Sequence, residues 1–273
     1  MKSISIFCAG LLLSVTVASS ASASERHFGF GYESTVLNPG LAELQPWTTE
    51  RAGRANYYNR LEARVGFQLG LTRNLQAALF WNISSTAEDV QVPGAALKSR
   101  LSTTDFQSLS AQLKYKFTDA TADALGSALL LEGQAGPLLV GYEGRVILDK
   151  QLGSLLLALN LISTGYEQLE LTSRFVGSFG ASAGAGYFVT PNVVASLELR
   201  NENSLSKERA ESLRYLSSVL YLGPAVSYAS TRFWLTLAVQ PQVVAFKGAT
   251  DGYHLDLTRN EYVQARLLLG FPL

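Results

Sequence analysis

An all-β chain closed into a transmembrane, antiparallel up-and-down β-barrel of about twelve strands is the fold class this sequence predicts, on three observations. Long segments alternate between apolar and polar residues, charges stand in mid-strand on the polar side, and short and long links take turns along the chain. Period two marks a strand with one oily and one polar face. A soluble sandwich would seldom carry arginines and a glutamate in mid-strand on a core face, so the oily face must meet something apolar and the charged face something wet.

The segment from Tyr57 to Ser84 shows the pattern most cleanly. Leu61, Ala63, Val65, Phe67, Leu69 and Leu71 oppose Arg60, Glu62, Arg64, Gly66, Gln68 and Gly70. After the polar break Thr72-Arg73-Asn74, Leu75, Ala77, Leu79, Trp81 and Ile83 oppose Gln76, Ala78 and Asn82, with Phe80 the one misfit. Two alternating runs across a tight break form a hairpin.

The chain begins with Met1-Lys2 and an apolar run from Ile4 to Val17, then the small-x-small pattern Ala21-Ser22-Ala23. This reads as a secretory signal peptide over 1–23, cleaved before Ser24. A retained anchor is the alternative, but the run is short against the roughly 20 residues of a spanning helix. Cys8 raises a lipoprotein alternative, although it lies early in the run without the preceding Leu-Ala-Gly type sequence. Cys8 is the one cysteine in the sequence and leaves with the signal, so no disulfide is expected in the mature chain. The remainder divides into an N-terminal segment, 24–42, and the barrel, 43–273.

Composition excludes several classes. Lysine plus arginine equals aspartate plus glutamate at 22 each, which leaves no basic field for nucleic acid. After the signal no run reaches the roughly 18 apolar residues of a spanning helix. Two distant histidines cannot by themselves hold a transition metal, and no cofactor is expected.

Strands are expected near 43–53, 57–71, 75–84, 105–117, 126–135, 138–148, 154–163, 170–188, 193–201, 213–229, 233–246 and 260–271. Each reaches the roughly 9 to 11 residues, or more, that a tilted transmembrane strand requires. Leu113 and its like face lipid, and Gln112 and its like face the lumen. In 213–229 the phase is ambiguous, and Gly223-Pro224 suggests a bulge. Gly180 and Gly184 have helix-packing spacing, but the alternation around them indicates a strand in which glycines permit curvature. The links after even strands are mostly short, while those after odd strands include the three longest, 85–104, 202–212 and 247–259; Gly136-Pro137 is a tight exception. Short turns at one end and long loops at the other characterise outer-membrane barrels, the short ones being periplasmic. Candidate aromatic girdles are Tyr115, Phe117, Tyr187, Phe233 and Phe271 at the turn end, and Trp81, Tyr142 and Phe246 at the loop end. The partners so implied are outer-membrane lipids, the barrel-assembly machinery and small solutes.

Before the first strand, His27 to Glu33 also alternates, with Phe28, Phe30 and Tyr32 on one side. A thirteenth strand would give an odd number, which single-chain bacterial barrels avoid. The segment is therefore expected to pack inside or below the barrel.

The sequence also resembles a family of uncharacterised Gram-negative outer-membrane barrels related to phenol-degradation meta-pathway and transporter barrels. The resemblance lies in Glu43 to Arg54, in Tyr58-Asn59-Arg60 leading to Leu69 through Gln76, in Phe188 through Asn192, and in Leu222-Gly223-Pro224 followed by Phe233-Trp234-Leu235. It implies an outer-membrane location and substrate passage, and offers no catalytic motif. One departure is the C-terminus: such barrels commonly end on an aromatic residue, whereas here Phe271 is followed by Pro272-Leu273.

The polar faces place Arg60, Glu62, Arg64, Lys114, Lys116, Glu132, Glu143, Arg145, Glu170, Arg174, Glu198, Arg200 and Arg266 toward the lumen. One reading is a narrow porin-like channel or transporter, polar throughout, whose near balance of charge gives weak ion selectivity. The plain alternative is a plugged structural barrel whose glutamates and arginines pair across strands and fill the interior. A third is a lipid-modifying enzyme using His254, with Asp256 and Asn260 near it, although no serine stands at the expected spacing.

Overall fold

The computed structural model describes residues 26–91, 98–169, 174–208, 212–250 and 252–273. Twelve strands follow one another: β1 Ala42–Ala52, β2 Tyr58–Gly70, β3 Leu75–Gln91, β4 Lys98–Thr118, β5 Gly126–Ala135, β6 Leu139–Leu152, β7 Leu155–Gln168, β8 Arg174–Thr190, β9 Val193–Glu208, β10 Arg214–Ala229, β11 Trp234–Lys247 and β12 Val263–Pro272. Every strand pairs antiparallel with its sequence neighbours, and β1 closes on β12, with Trp47 opposite Leu268. Closure leaves no unpaired edge, the condition for a sheet to stand in lipid.

The expected phase holds. Leu79, Trp81, Leu113, Leu131 and Leu161 point outward and are more than half exposed, whereas Gln76, Ser110, Gln112 and Asn160 point inward and are buried. The girdle aromatics Tyr115, Phe117, Tyr187, Phe271, Trp81, Tyr142 and Phe246 are likewise exposed on the outer wall.

Phe80, the misfit in the alternation, is an inward residue, 1 % exposed. It stands opposite Gly66 in the register, where any Cβ would overlap its ring, and it stacks on Trp47 at a centroid distance of 5.9 Å. The glycine makes room for the aromatic. The same device recurs at Gly270, opposite Trp234.

Two expected long loops are corrected. The described residues of 85–104 and 202–212 include continued strand: β3 and β4 stay paired out to Gln91 and Lys98, and β9 and β10 out to Ser206 and Arg214. Their polar residues pair across strands on both faces, as in Thr104 Oγ1 to Ser85 Oγ at 2.9 Å, because a strand beyond the apolar band needs no oily side. The third range remains a loop and folds inward, burying Asp256, Asn260 and Glu261. The tight Gly136-Pro137 link is real and closes with Gly136 N donating to Leu139 O. In β10 the register shifts lie at Ser218/Val219 and Leu220/Tyr221, just before Gly223-Pro224 rather than on it. Gly223 instead lets the backbone of Val239 approach.

The lumen is not polar throughout, which is a second correction. Toward the turn end, Ala128, Leu130, Ile147, Leu156, Ala158, Ala225, Ala238 and Leu268 point inward and are buried. The sequence carried the sign of this in runs oily on both faces, Leu129-Leu130-Leu131, Val146-Ile147-Leu148 and Leu267-Leu268-Leu269.

Candidate functional site: the N-terminal plug and the arginine cavity

What covers those inward apolar residues is the segment from Arg26 to Leu41, which lies inside the barrel. It enters at the turn end beside Gly70, climbs to an apex at Phe30 about halfway up the wall, and descends to Arg26, whose carbonyl accepts from Thr236 Oγ1 near the start of β11. Phe28 (fully buried) sits among Leu156, Ala158 and Phe188; Phe30 packs on Ala225 and Ala238; Tyr32 joins Trp47, Leu130, Ile147 and Trp234. A Cβ at Gly184 would overlap the Phe28 ring. The β8 glycines thus clear lumen space, a role beyond the curvature expected of them.

The segment has no strand pairing of its own, so its buried backbone groups need other partners. Wall side chains supply them. The Glu198 carboxylate accepts from three successive N–H groups, Gly29 at 2.6 Å, Phe30 at 3.0 Å and Gly31 at 3.0 Å. Successive amides pointing one way make an anion nest, here filled by a carboxylate of the wall. Asn160 brackets Tyr32, accepting from its N–H and donating to its carbonyl, both at 2.9 Å. Asp149 accepts from Ser34 N and Gln76 from Leu37 N. From above, Arg145 donates to Phe30 O at 3.0 Å and Arg266 to Gly29 O at 3.3 Å.

Below the apex, the cavity among Arg26, Glu33, Gln45, Gln68, Gln76 and Lys114 measures about 10 Å³, roughly room for one water. Above it lies a cavity of about 230 Å³. Its floor is Phe30, Tyr32 and Trp47, and its walls carry five arginines, Arg51, Arg64, Arg145, Arg200 and Arg266, against two glutamates, Glu143 and Glu202. Four of these arginines pair with glutamates within or behind the lining, which leaves Arg266 as the one lining arginine without a carboxylate within 4.0 Å among the described residues.

Each sequence-predicted lumen residue that falls among the described residues lies on an inward position; Glu170 lies outside them. Arg64 pairs with Glu132 at 2.6 Å and Arg145 with Glu143 at 3.0 Å, while Arg200 pairs with Glu202. Glu62 is shared by Arg51 and Arg60. Lys114 is buried beside the small lower cavity, Lys116 pairs with Asp119 near the turn end at 3.2 Å, and Arg174 bonds Ser206 at the loop rim. The ladder thus separates: Glu198 holds the plug, Arg145 and Arg266 do so while also lining the cavity, and Arg174, Lys114 and Lys116 lie away from that cavity.

Sequence reasoning did not single out Arg26, Trp47, Arg51 or Glu202. Arg51 and Trp47 share the inward face of β1 with Glu43, Gln45 and Thr49, an alternation readable in Glu43 to Arg51 though its outer face, Leu44, Pro46, Thr48 and Glu50, is weakly apolar. Arg26 lies over Tyr32 at 3.8 Å and Trp47 at 5.4 Å, which no spacing could announce.

His254 is exposed in the loop before β12. The Asp256 carboxylate is engaged by Thr258 Oγ1, the N–H groups of Thr258 and Arg259, and Asn260 Nδ2. It shapes its own loop and does not orient the histidine.

The chain belongs to the family of unknown function DUF6662, whose model matches residues 20–139 and 174–273. That family carries no phenol-degradation assignment. No curated protein matches the chain by sequence. Among solved structures it is similar to the NanC porin, at 11 % identity and a TM-score of 0.51, over 84 % of this chain and 100 % of that one. It is also similar to the KdgM porin, at 9 % identity and a TM-score of 0.45, over 84 % and 98 % respectively. At such identities the NanC likeness is one of fold: a closed barrel of the outer-membrane type.

Proposed function

We propose that this DUF6662 barrel resides in the bacterial outer membrane as a channel for small polar solutes, closed by its own N-terminal segment. The observation that carries this is how the plug is held. Backbone-to-backbone bonds tie it to the wall at Gly40 and Leu41, beside Gly70, whereas residues 26–37 are held by side chains. Such a segment can leave the lumen without breaking any rung of the sheet. The fold likeness to a porin supports the membrane location, as do the exposed leucines and aromatics of the outer wall.

The test compares single-channel conductance of the refolded mature chain with that of a variant lacking residues 26–37, both checked for heat-modifiable migration. The mature chain should be closed most of the time, and the variant should conduct steadily. Equal silence in two folded proteins would favour a plugged structural barrel, a reading supported by the fully buried Phe28.

A further inference from the structure

We propose that the arginine cavity above the plug binds a small organic carboxylate and that binding loosens the plug's apex; the second half rests on the gated-channel reading, the first does not. Among the described residues no carboxylate lies within 4.0 Å of Arg266, while each of the other four cavity arginines has at least one, Arg51 having both Glu62 and Glu261. Arg266 is half-buried and bonded to Thr49 Oγ1 and Gly29 O, and a partly desolvated cation without a counter-ion favours an incoming anion. Arg64 Nε adds a buried donor with no hydrogen-bond partner among the described residues. Guanidinium groups present planar forks that match a carboxylate. The volume, about 230 Å³, and the floor of Phe30, Tyr32 and Trp47 suit a compact ring bearing one carboxylate.

The coupling follows from shared residues. Arg145 and Arg266 line the cavity and also donate to the apex carbonyls Phe30 O and Gly29 O. A carboxylate is the stronger acceptor, its charge-assisted bonds being roughly twice as strong as those to a neutral carbonyl. As either guanidinium turns to the ligand, the apex loses one of its two holds from above and keeps those from Glu198.

The experiment uses the full mature protein refolded in phosphatidylcholine vesicles. Glucuronate and benzoate are titrated by calorimetry against their uncharged counterparts, glucose and benzyl alcohol. Plug release is read from the rate at which a charged thiol reagent modifies Ser34→Cys, a buried plug position in a chain whose one cysteine lies at Cys8. At least one acid should bind, with neither neutral analogue doing so, and should raise the labelling rate. Arg51→Gln should weaken binding at least about tenfold, the equivalent of one charged hydrogen bond. Arg145→Gln should raise the basal rate and reduce the ligand's effect on it, Arg266 remaining as the second link. If neither acid binds the folded protein, the carboxylate site is wrong; if an acid binds and labelling does not change, the coupling is wrong. Binding that persists in a barrel whose plug-deleted form never conducts would sustain the site while removing the channel reading.

Discussion

The two halves of this lumen are made from the same alternation of residues and do opposite things. Near the turns, inward positions are Leu130, Ile147, Leu156 and Leu268, opened by Gly66, Gly184 and Gly270, and a segment of the chain fills the space. Nearer the loops, inward positions are Arg51, Arg64, Arg145, Arg200 and Arg266, and a cavity remains. Apolar inward residues can be covered by chain because they need no water. Arginines keep a cavity open because their charge stays cheaper to hold where solvent or an anion can reach it. Packing dominates one half and electrostatics the other.

The sharpest way to break that contrast is to truncate on either side of it. Phe28→Ala strikes the packed half and should cost about 3 to 5 kcal/mol, as for a buried aromatic. Arg51→Ala, whose partly exposed pair with Glu62 lies in the open half, should cost about 1 kcal/mol or less. Both are read from urea midpoints of the refolded barrel, and equal losses would show that the plug does not form a core.

The two faces of the wall come next. Leu113→Arg places a charge in lipid and should cost about 2 to 4 kcal/mol near mid-membrane. Gln112 is a poor lumen control, being buried and donating to Glu132 at 2.8 Å. Thr164, which lines the arginine-rich cavity, serves better with the opposite charge, and Thr164→Glu should cost much less. If the Thr164 variant fails to refold while the Leu113 variant folds, the faces are reversed.

A smaller effect is expected where plug meets wall. Gly184→Ala adds a methyl group where the Phe28 ring lies, and overpacking of this kind costs about 1 to 3 kcal/mol. It should also speed thiol labelling of the plug. A variant as stable and as slow to label as the parent would mean that Phe28 has room to spare.

The smallest effect lies outside both halves, in the turn after β4. Hydrogen bonds from the Thr121 hydroxyl and N–H, with Lys116 and Ala122 N adding to them, hold the Asp119 carboxyl well below the usual carboxylate range. A depressed carboxylate contributes stability that is present above its unfolded pKa of about 3.9 and is lost as pH falls below that value. Asp119→Asn should therefore lower the melting temperature slightly at pH 7 and leave it nearly unchanged under strongly acidic conditions. A difference that grows on acidification would reverse the assigned sign.

Much of the wall was legible in the sequence. Alternation is a local property with period two, so Leu61 to Gly70 reveals its faces without knowledge of any neighbour. Turn chemistry is equally local, which is why Thr72-Arg73-Asn74 and Gly136-Pro137 could be placed. Ends were less legible where apolar residues gave out: beyond Ser84 and Asn201 the strands run on in polar sequence, and period two loses its contrast.

Sequence by itself determined that the strands alternate and that their charges point one way, and it gave reason to expect the aromatic stretch His27 to Glu33 inside or below the barrel. Only the tertiary structure decided that Glu198 receives the amides of Gly29, Phe30 and Gly31, some 168 residues away along the chain. It also decided that five arginines from five strands face one cavity. The reason is physical: a residue's face depends on its own strand's pleat, whereas its partner across a lumen depends on how all twelve strands close and stagger, which no single segment encodes.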